Sequence, residues 1–200
     1  MSKLFFRYGA MNSGKSTALL QVAHNYEERG QAVVLLKPDT DTKGGSRVVS
    51  RLGVSREVDI LLAPEQDLRA AVARHCAGTG PEKPTMACVL IDEAQFLTPT
   101  QVDQALATAV LDDLPVLAFG IRTDFRTRAF PGSQRLLEVA HALEEMKTIC
   151  RCGQKAIFNA RLDAGGMQTE GDQVLIDGAG VVYEALCGRC YLNGRDAKGQ

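Results

Sequence analysis

The stretch Gly9-Ala10-Met11-Asn12-Ser13-Gly14-Lys15-Ser16 constrains this chain more than any other. It matches G-x-x-x-x-G-K-[ST], a loop that wraps the phosphates of a nucleoside triphosphate. Leu4-Phe5-Phe6-Arg7-Tyr8 before it reads as a short strand, and residues 16–29 after it read as a helix. The chemistry demands that order. Gly9 and Gly14 permit backbone angles and close approaches that a side chain would block. Successive N–H groups then point into the turn, and the positive end of the helix dipole adds to them, so phosphate oxygens bind there. In such loops the lysine, here Lys15, reaches the β- and γ-phosphates, and the hydroxyl, here Ser16, ligates Mg²⁺.

Composition bounds what this loop belongs to. Two hundred residues make one domain of ordinary size with a small appendage. With 45% hydrophobic residues, 24% charged residues and a net charge of −1, the chain has no basic excess. Nucleic-acid and membrane-surface partners usually require one, so neither is expected. No apolar run approaches the roughly 20 residues that span a bilayer. Met1-Ser2-Lys3 does not open a secretion signal. The expected location is therefore the cytoplasm, where cysteines stay reduced. The six cysteines then need an explanation other than disulfides.

Unbroken apolar runs recur at Val33-Val34-Leu35-Leu36, Ala87-Cys88-Val89-Leu90-Ile91 and Val116-Leu117-Ala118-Phe119. Such runs suit parallel strands buried on both faces. Helical patterns over 65–76, 100–111 and 133–143 alternate with them. The alternation predicts an α/β domain with a mostly parallel sheet. Ligands of such sheets sit beyond the carboxyl ends of the strands, where the phosphate loop falls. Residues 38–46 and 78–84 read as polar loops. Beyond Lys147 the character changes to cysteine pairs and glycine turns. The expected division is a nucleotide-binding domain over 1–148, a small lobe over 149–195 and a disordered tail over 196–200.

Three further constellations carry chemistry. Val89-Leu90-Ile91-Asp92-Glu93 is an apolar strand ending in acids. Asp92 at its tip suits Mg²⁺, and Glu93, one residue deeper in the cleft, suits proton abstraction from a hydroxyl or water. An isolated Asp-Glu pair is usually a solvated strand end; the phosphate loop shifts that balance. Cys150-Arg151-Cys152 and Cys187-Gly188-Arg189-Cys190 form two close pairs, the pattern of a four-thiolate zinc site. Four thiolates leave no open position, so the zinc is expected to be structural. Cys76 and Cys88 stand alone and read as core filler. Phe119-Gly120-Ile121-Arg122-Thr123-Asp124-Phe125-Arg126, with Phe130-Pro131-Gly132 after it, offers aromatics for stacking and arginines for phosphate. Among Arg122, Arg126 and Arg128 the sequence does not choose. His24, His75 and His141 sit in helical patterns and take no role.

With these motifs in the order given, the chain resembles the type II, zinc-containing thymidine kinases of the cytosol, in their bacterial form. The resemblance rests on the phosphate loop, on Asp92-Glu93-Ala94-Gln95-Phe96, on Gly120-Ile121-Arg122-Thr123-Asp124-Phe125-Arg126 and on the four cysteines. Val49-Ser50-Arg51-Leu52-Gly53 and Arg161-Leu162-Asp163 add smaller matches. It implies a RecA-type P-loop sheet flanked by helices, with a C-terminal zinc lobe. It implies phosphoryl transfer from ATP with Mg²⁺ to the 5′-hydroxyl of thymidine, with deoxyuridine as a second acceptor. Glu93 becomes the general base, and the phosphate loop with Asp92 and Gln95 becomes the ATP site. Met11, Phe96, Ile121, Phe125, Phe130, Val174 and Tyr183 would line the nucleoside pocket. Residues 161–182 would close over the base as a lasso. A homotetramer inhibited by thymidine triphosphate is the further implication. Asp177-Gly178-Ala179-Gly180-Val181-Val182 departs from the family's pattern before the lid tyrosine and bears on base preference. Two rivals of other classes are a helicase-like motor, for which the chain lacks room for a second motor domain, and a non-catalytic ATP-binding regulator.

Overall fold

The computed structural model describes residues 1–40, 45–78, 86–174 and 180–196. The expectations for residues 41–44, 79–84, 175–179 and 197–200 lie outside them, including the first half of the altered stretch from Asp177 and most of the tail.

Six parallel strands make the main sheet. In chain order they are β1 (Leu4–Tyr8), β2 (Ala32–Pro38), β5 (Ile60–Leu62), β6 (Met86–Ile91), β7 (Val116–Gly120) and β8 (Ala142–Glu145). Across the sheet they run β5-β2-β6-β7-β1-β8. Alternate side chains of each strand enter different cores, which is why the strand sequences are apolar without a break. On one face Leu4, Phe6, Val34, Leu36, Val89 and Ile91 pack against helices α2 (Leu68–Ala77), α3 (Pro99–Leu111) and α4 (Pro131–Val139). On the other, Val33, Leu35, Leu90 and Phe119 pack against Leu19, Leu20 and Ala23 of α1 (Lys15–Glu27). Burial pushes the Cys88 thiol up to about 12, so this cysteine acts as an inert core residue. A hairpin of β3 (Arg47–Val49) and β4 (Ser55–Glu57) projects beyond β2.

Helix starts carry their local signals. Pro99 opens α3, and Thr98 and Gln101 cap it reciprocally at 3.2 and 3.0 Å. Asp67 caps α2 through the Ala70 N–H, so that helix begins three residues later than its pattern suggests.

The helix expected over 133–143 is a correction. It ends at Val139, and the chain then joins the sheet as β8, with the His141 N–H donating to the Leu4 carbonyl at 2.9 Å. His141 therefore lies between helix and strand, where its Nδ1 accepts from the Leu4 N–H. An edge strand of sequence Ala-Leu-Glu-Glu, half solvated, lacks the apolar run that marks the central strands. The three-residue strands β3, β4 and β5 are too short to show a period at all.

The C-terminal part follows β8 directly. Strands β9 (Thr148–Ile149) and β10 (Lys155–Ala156) form a hairpin. Strands β11 (Phe158–Asp163), β12 (Gly166–Met167) and β13 (Val182–Leu186) form an antiparallel sheet ordered β12-β11-β13, and helix α5 (Gly188–Asp196) follows. Its small core contains Ala156, Ala160, Met167, Leu186 and Tyr191 beside Cys150 and Cys187. Among the described residues no helix is long and apolar enough to cross a membrane.

Candidate functional site

The carboxyl ends of β1, β6 and β7 open onto one cavity of about 810 Å³. At one end the turn after β1 leads into α1. Gly14 has φ +79°, a left-handed conformation that suits glycine, and it starts the helix without a side-chain cap. The amide groups at the helix start are thereby left for another acceptor. Lys15 is almost wholly buried. Its Nζ donates to the Ala10 carbonyl at 2.9 Å and to Ser13 Oγ at 3.3 Å, so the side chain folds back on its own loop. Burial holds its amine below the usual lysine range, although Glu93 and Asp92 oppose that shift. Met11, Asn12, Gly14, Lys15 and Ser16 line the cavity, whereas Gly9, Ala10 and Ser13 lie behind the lining.

At the tip of β6, Ser16 Oγ donates to Asp92 Oδ2 at 3.2 Å. This pair of oxygens on adjoining elements is a donor set suited to a hard divalent cation. Burial, helped by the nearby Glu93 charge, pushes Asp92 up to about 7. Glu93 adopts φ 48° and ψ 40°, the left-handed region that glutamate rarely visits. That kink turns its carboxylate out of the strand line and into the cavity. Gln95 holds it there: Nε2 donates to Glu93 Oε2 at 2.5 Å, while Oε1 accepts from the Ile121 N–H at 3.1 Å. The bridge needs room, because a Cβ on Gly120 would meet Gln95 Oε1 at 2.8 Å. Expected at the nucleotide, Gln95 lines the cavity with both ends of its amide already engaged by protein groups.

The far end is aromatic and apolar. Phe96, Ile121, Phe125, Phe130, Val174 and Tyr183 line it together with Met11. Phe96 and Phe130 meet edge to face at 5.7 Å. Phe125 is placed by its neighbour Asp124, a buried carboxylate that accepts the N–H groups of Arg126 and Arg128 at 2.8 and 2.9 Å. The Arg126 guanidinium pairs with the same carboxylate at 3.2 Å, which commits that cation to the loop itself. Arg122 lies over the Tyr8 ring, on the other side of the phosphate loop from the cavity. Arg51, in the turn of the β3–β4 hairpin, does line the cavity and acts on the Lys15 charge.

Away from the cavity, the sulfurs of Cys150, Cys152, Cys187 and Cys190 lie within 4.8 Å of one another. Cys152 Sγ is 3.6 Å from Cys150 Sγ and 3.5 Å from Cys187 Sγ. A tetrahedron with Zn–S bonds of ~2.3 Å has edges of about 3.8 Å, so the arrangement fits zinc. The first pair sits in the β9–β10 turn, closed by Gly153 at φ +83°. The second spans the junction of β13 and α5 rather than a hairpin. Burial disfavours the Cys150 thiolate, yet donors from Cys152 and Cys187 outweigh it and bring that thiol down to about 6. Hydrogen bonds to Cys152, Cys150 and Cys187 push Cys190 up to about 12.

A family model described as thymidine kinase matches residues 2–191. The chain belongs to the thymidine kinase family. It is 48% identical over 190 residues to the thymidine kinase of Ruegeria pomeroyi, covering 94% of this chain and 92% of that one. With the thymidine kinase of Chromobacterium violaceum it shares 46% over 193 residues, covering 96% and 98%. With that of Idiomarina loihiensis it shares 47% over 189 residues, covering 94% of each.

For this thymidine kinase family member, sequence reasoning missed the side chains that tie the site to the C-terminal lobe. Asn159 of β11 accepts from the Met11 N–H at 2.7 Å and donates to the Thr123 carbonyl at 2.9 Å. Arg161, on the same face of β11, stacks on Phe125. Arg51 and Arg161 were visible only within the small matches at 49–53 and 161–163. Asn159 left no local signal, since its partners lie at Met11 and Thr123, far from it in the chain.

Proposed function

We propose that this chain transfers the γ-phosphoryl group of ATP to the 5′-hydroxyl of thymidine, giving dTMP, and accepts deoxyuridine as well. The observation that carries this reading is the course of the single cavity. It runs from Lys15 and Ser16, past Glu93, to Phe96, Phe125, Phe130 and Tyr183. A triphosphate at the loop and a nucleoside among the aromatics bring their reacting groups together beside Glu93.

Phosphoryl transfer needs positioning and charge stabilisation more than covalent chemistry. The backbone N–H groups of the loop and Lys15 hold the transferred group, and Lys15 must first leave its own loop carbonyls. Arg51 supplies a further cation at the same end. Ser16 and Asp92 would hold Mg²⁺, which when bound offsets the phosphate charge. Glu93, gripped by Gln95, orients the 5′-hydroxyl and takes its proton. Val174 and Tyr183 cover the base and exclude water, the competing acceptor. Zinc on the four cysteines is structural, because no coordination position is left open. Residues 1–148 then serve as the nucleotide-binding domain and 149–195 as the zinc lobe. A cytoplasmic homotetramer under feedback by thymidine triphosphate, acting in nucleoside salvage, completes the reading.

The test is ATP consumption with Mg²⁺ in the presence of thymidine, deoxyuridine, deoxycytidine, single-stranded DNA or no acceptor. Turnover with thymidine, alone or with deoxyuridine, is the expected result. Turnover with DNA or with water alone would assign Glu93 to water activation and overturn the proposal.

A further inference from the structure

Arg161 is 2% exposed, lies outside the cavity lining and yet touches the acceptor end from behind. Its guanidinium carbon sits 3.6 Å from the centre of the Phe125 ring, a close face-on stack. Nη1 donates to the Asp172 carbonyl at 2.8 Å, and Nη2 donates to the Glu170 carbonyl at 3.2 Å. Those two carbonyls flank Gly171 and lead directly into Gln173 and Val174, which line the cavity. Across the β11–β13 pair Arg161 stands opposite Tyr183, so both side chains leave the same face. Gly171 has φ +118°, and a Cβ there would meet Arg161 Nη2 at 2.5 Å. The backbone of the lid and the fork of the guanidinium are thus fitted to one another. Buried Arg161 Nε has no hydrogen-bond partner among the described residues. A buried charge held this way, at a cost in desolvation, is poor as a simple staple.

We infer that Arg161 is a positioning residue for the acceptor nucleoside: it locks the lid backbone at 170–172 onto Phe125, and so sets the height of the slot that takes the base. This rests on the proposal that the aromatic end of the cavity binds the nucleoside. A planar fork with several donors can stack and bridge two carbonyls at once, which a lysine ammonium cannot do.

The experiment compares wild type with Arg161→Met, Arg161→Lys, Gly171→Ala and Arg161→Met/Gly171→Ala. Steady-state KM for thymidine and for ATP, kcat, zinc content and thermal midpoint are measured on each. Losing two charge-assisted hydrogen bonds should raise the thymidine KM about tenfold or more in Arg161→Met. The ATP KM, kcat and zinc content should stay close to wild type. Arg161→Lys should fall between, and Gly171→Ala should also raise the thymidine KM, because its methyl displaces the guanidinium. In the double variant the two effects should not multiply. The rate of cleavage after Glu170 by a glutamate-specific protease should rise in the same variants, and this readout does not depend on thymidine turnover. An unchanged thymidine KM in all variants would overturn the inference. So would a rise in the thymidine KM accompanied by loss of zinc and a lowered thermal midpoint, which marks a merely structural arginine. If Arg161→Met fails to fold, Arg161→Lys and Gly171→Ala carry the same comparison. If wild type shows no thymidine turnover, the functional proposal falls, and unchanged cleavage at Glu170 would take this inference with it.

Discussion

At the donor end of the cavity, Lys15 and Ser16 come from one turn between a strand and a helix, and Asp92 and Glu93 from the tip of a second strand. At the acceptor end, Phe96, Phe125, Phe130, Val174 and Tyr183 come from separate stretches, and side chains of the C-terminal lobe fix Phe125 among them. Arg161 backs Phe125, and the Tyr191 hydroxyl donates to the Phe125 carbonyl at 2.6 Å. On the proposed function, the catalytic geometry is local to the main sheet, whereas Phe125 at the nucleoside end is braced by the lobe that holds the cysteines. The two ends should fail separately when damaged.

The sharpest cut is at Glu93. Glu93→Gln keeps the shape and removes the base, so kcat should fall by roughly 10² to 10⁴. Thymidine and ATP should still bind, as read by calorimetry; near-normal turnover would remove Glu93 from the mechanism. Next in size is the cysteine cluster. Cys187→Ser should release the metal and loosen the lobe, raising the thymidine KM at least about tenfold while the ATP KM changes much less. An equal loss at both ends would show that the main sheet also depends on the lobe. The smallest effect expected is at Asn159, which bonds to the phosphate loop and to the loop after β7 at once. Asn159→Ala leaves the part-buried Met11 N–H without its partner, a cost of about 1 kcal/mol. It should raise both KM values several-fold, and a rise in only one would identify the end that Asn159 serves.

The same contrast explains what was legible in the sequence. The phosphate loop and the Asp92-Glu93 strand tip are contiguous and chemically costly, so they stand out. The four cysteines are distant in sequence yet unusual in type, and they meet within 4.8 Å. The central strands announced themselves through burial on both faces. Strand β8 did not, because an edge strand with Glu144 and Glu145 needs no apolar run. Position alone placed Gln95 at the site, but it could not show that its amide bridges Glu93 and the Ile121 N–H. Asn159 was silent for a physical reason: its partners are backbone groups far along the chain, and backbone partners leave no pattern in side-chain identity.

The left-handed backbone at Glu93 has a consequence for how this enzyme would change under selection. A glutamate at φ 48° beside a second buried acid stores strain and charge repulsion together. Asparagine accepts that conformation readily and carries no charge. Glu93→Asn should melt at a higher temperature than wild type while losing turnover, a result that calorimetry and an activity assay would read side by side. Selection for heat resistance alone would thus favour replacing Glu93, at the expense of the proton abstraction proposed for it.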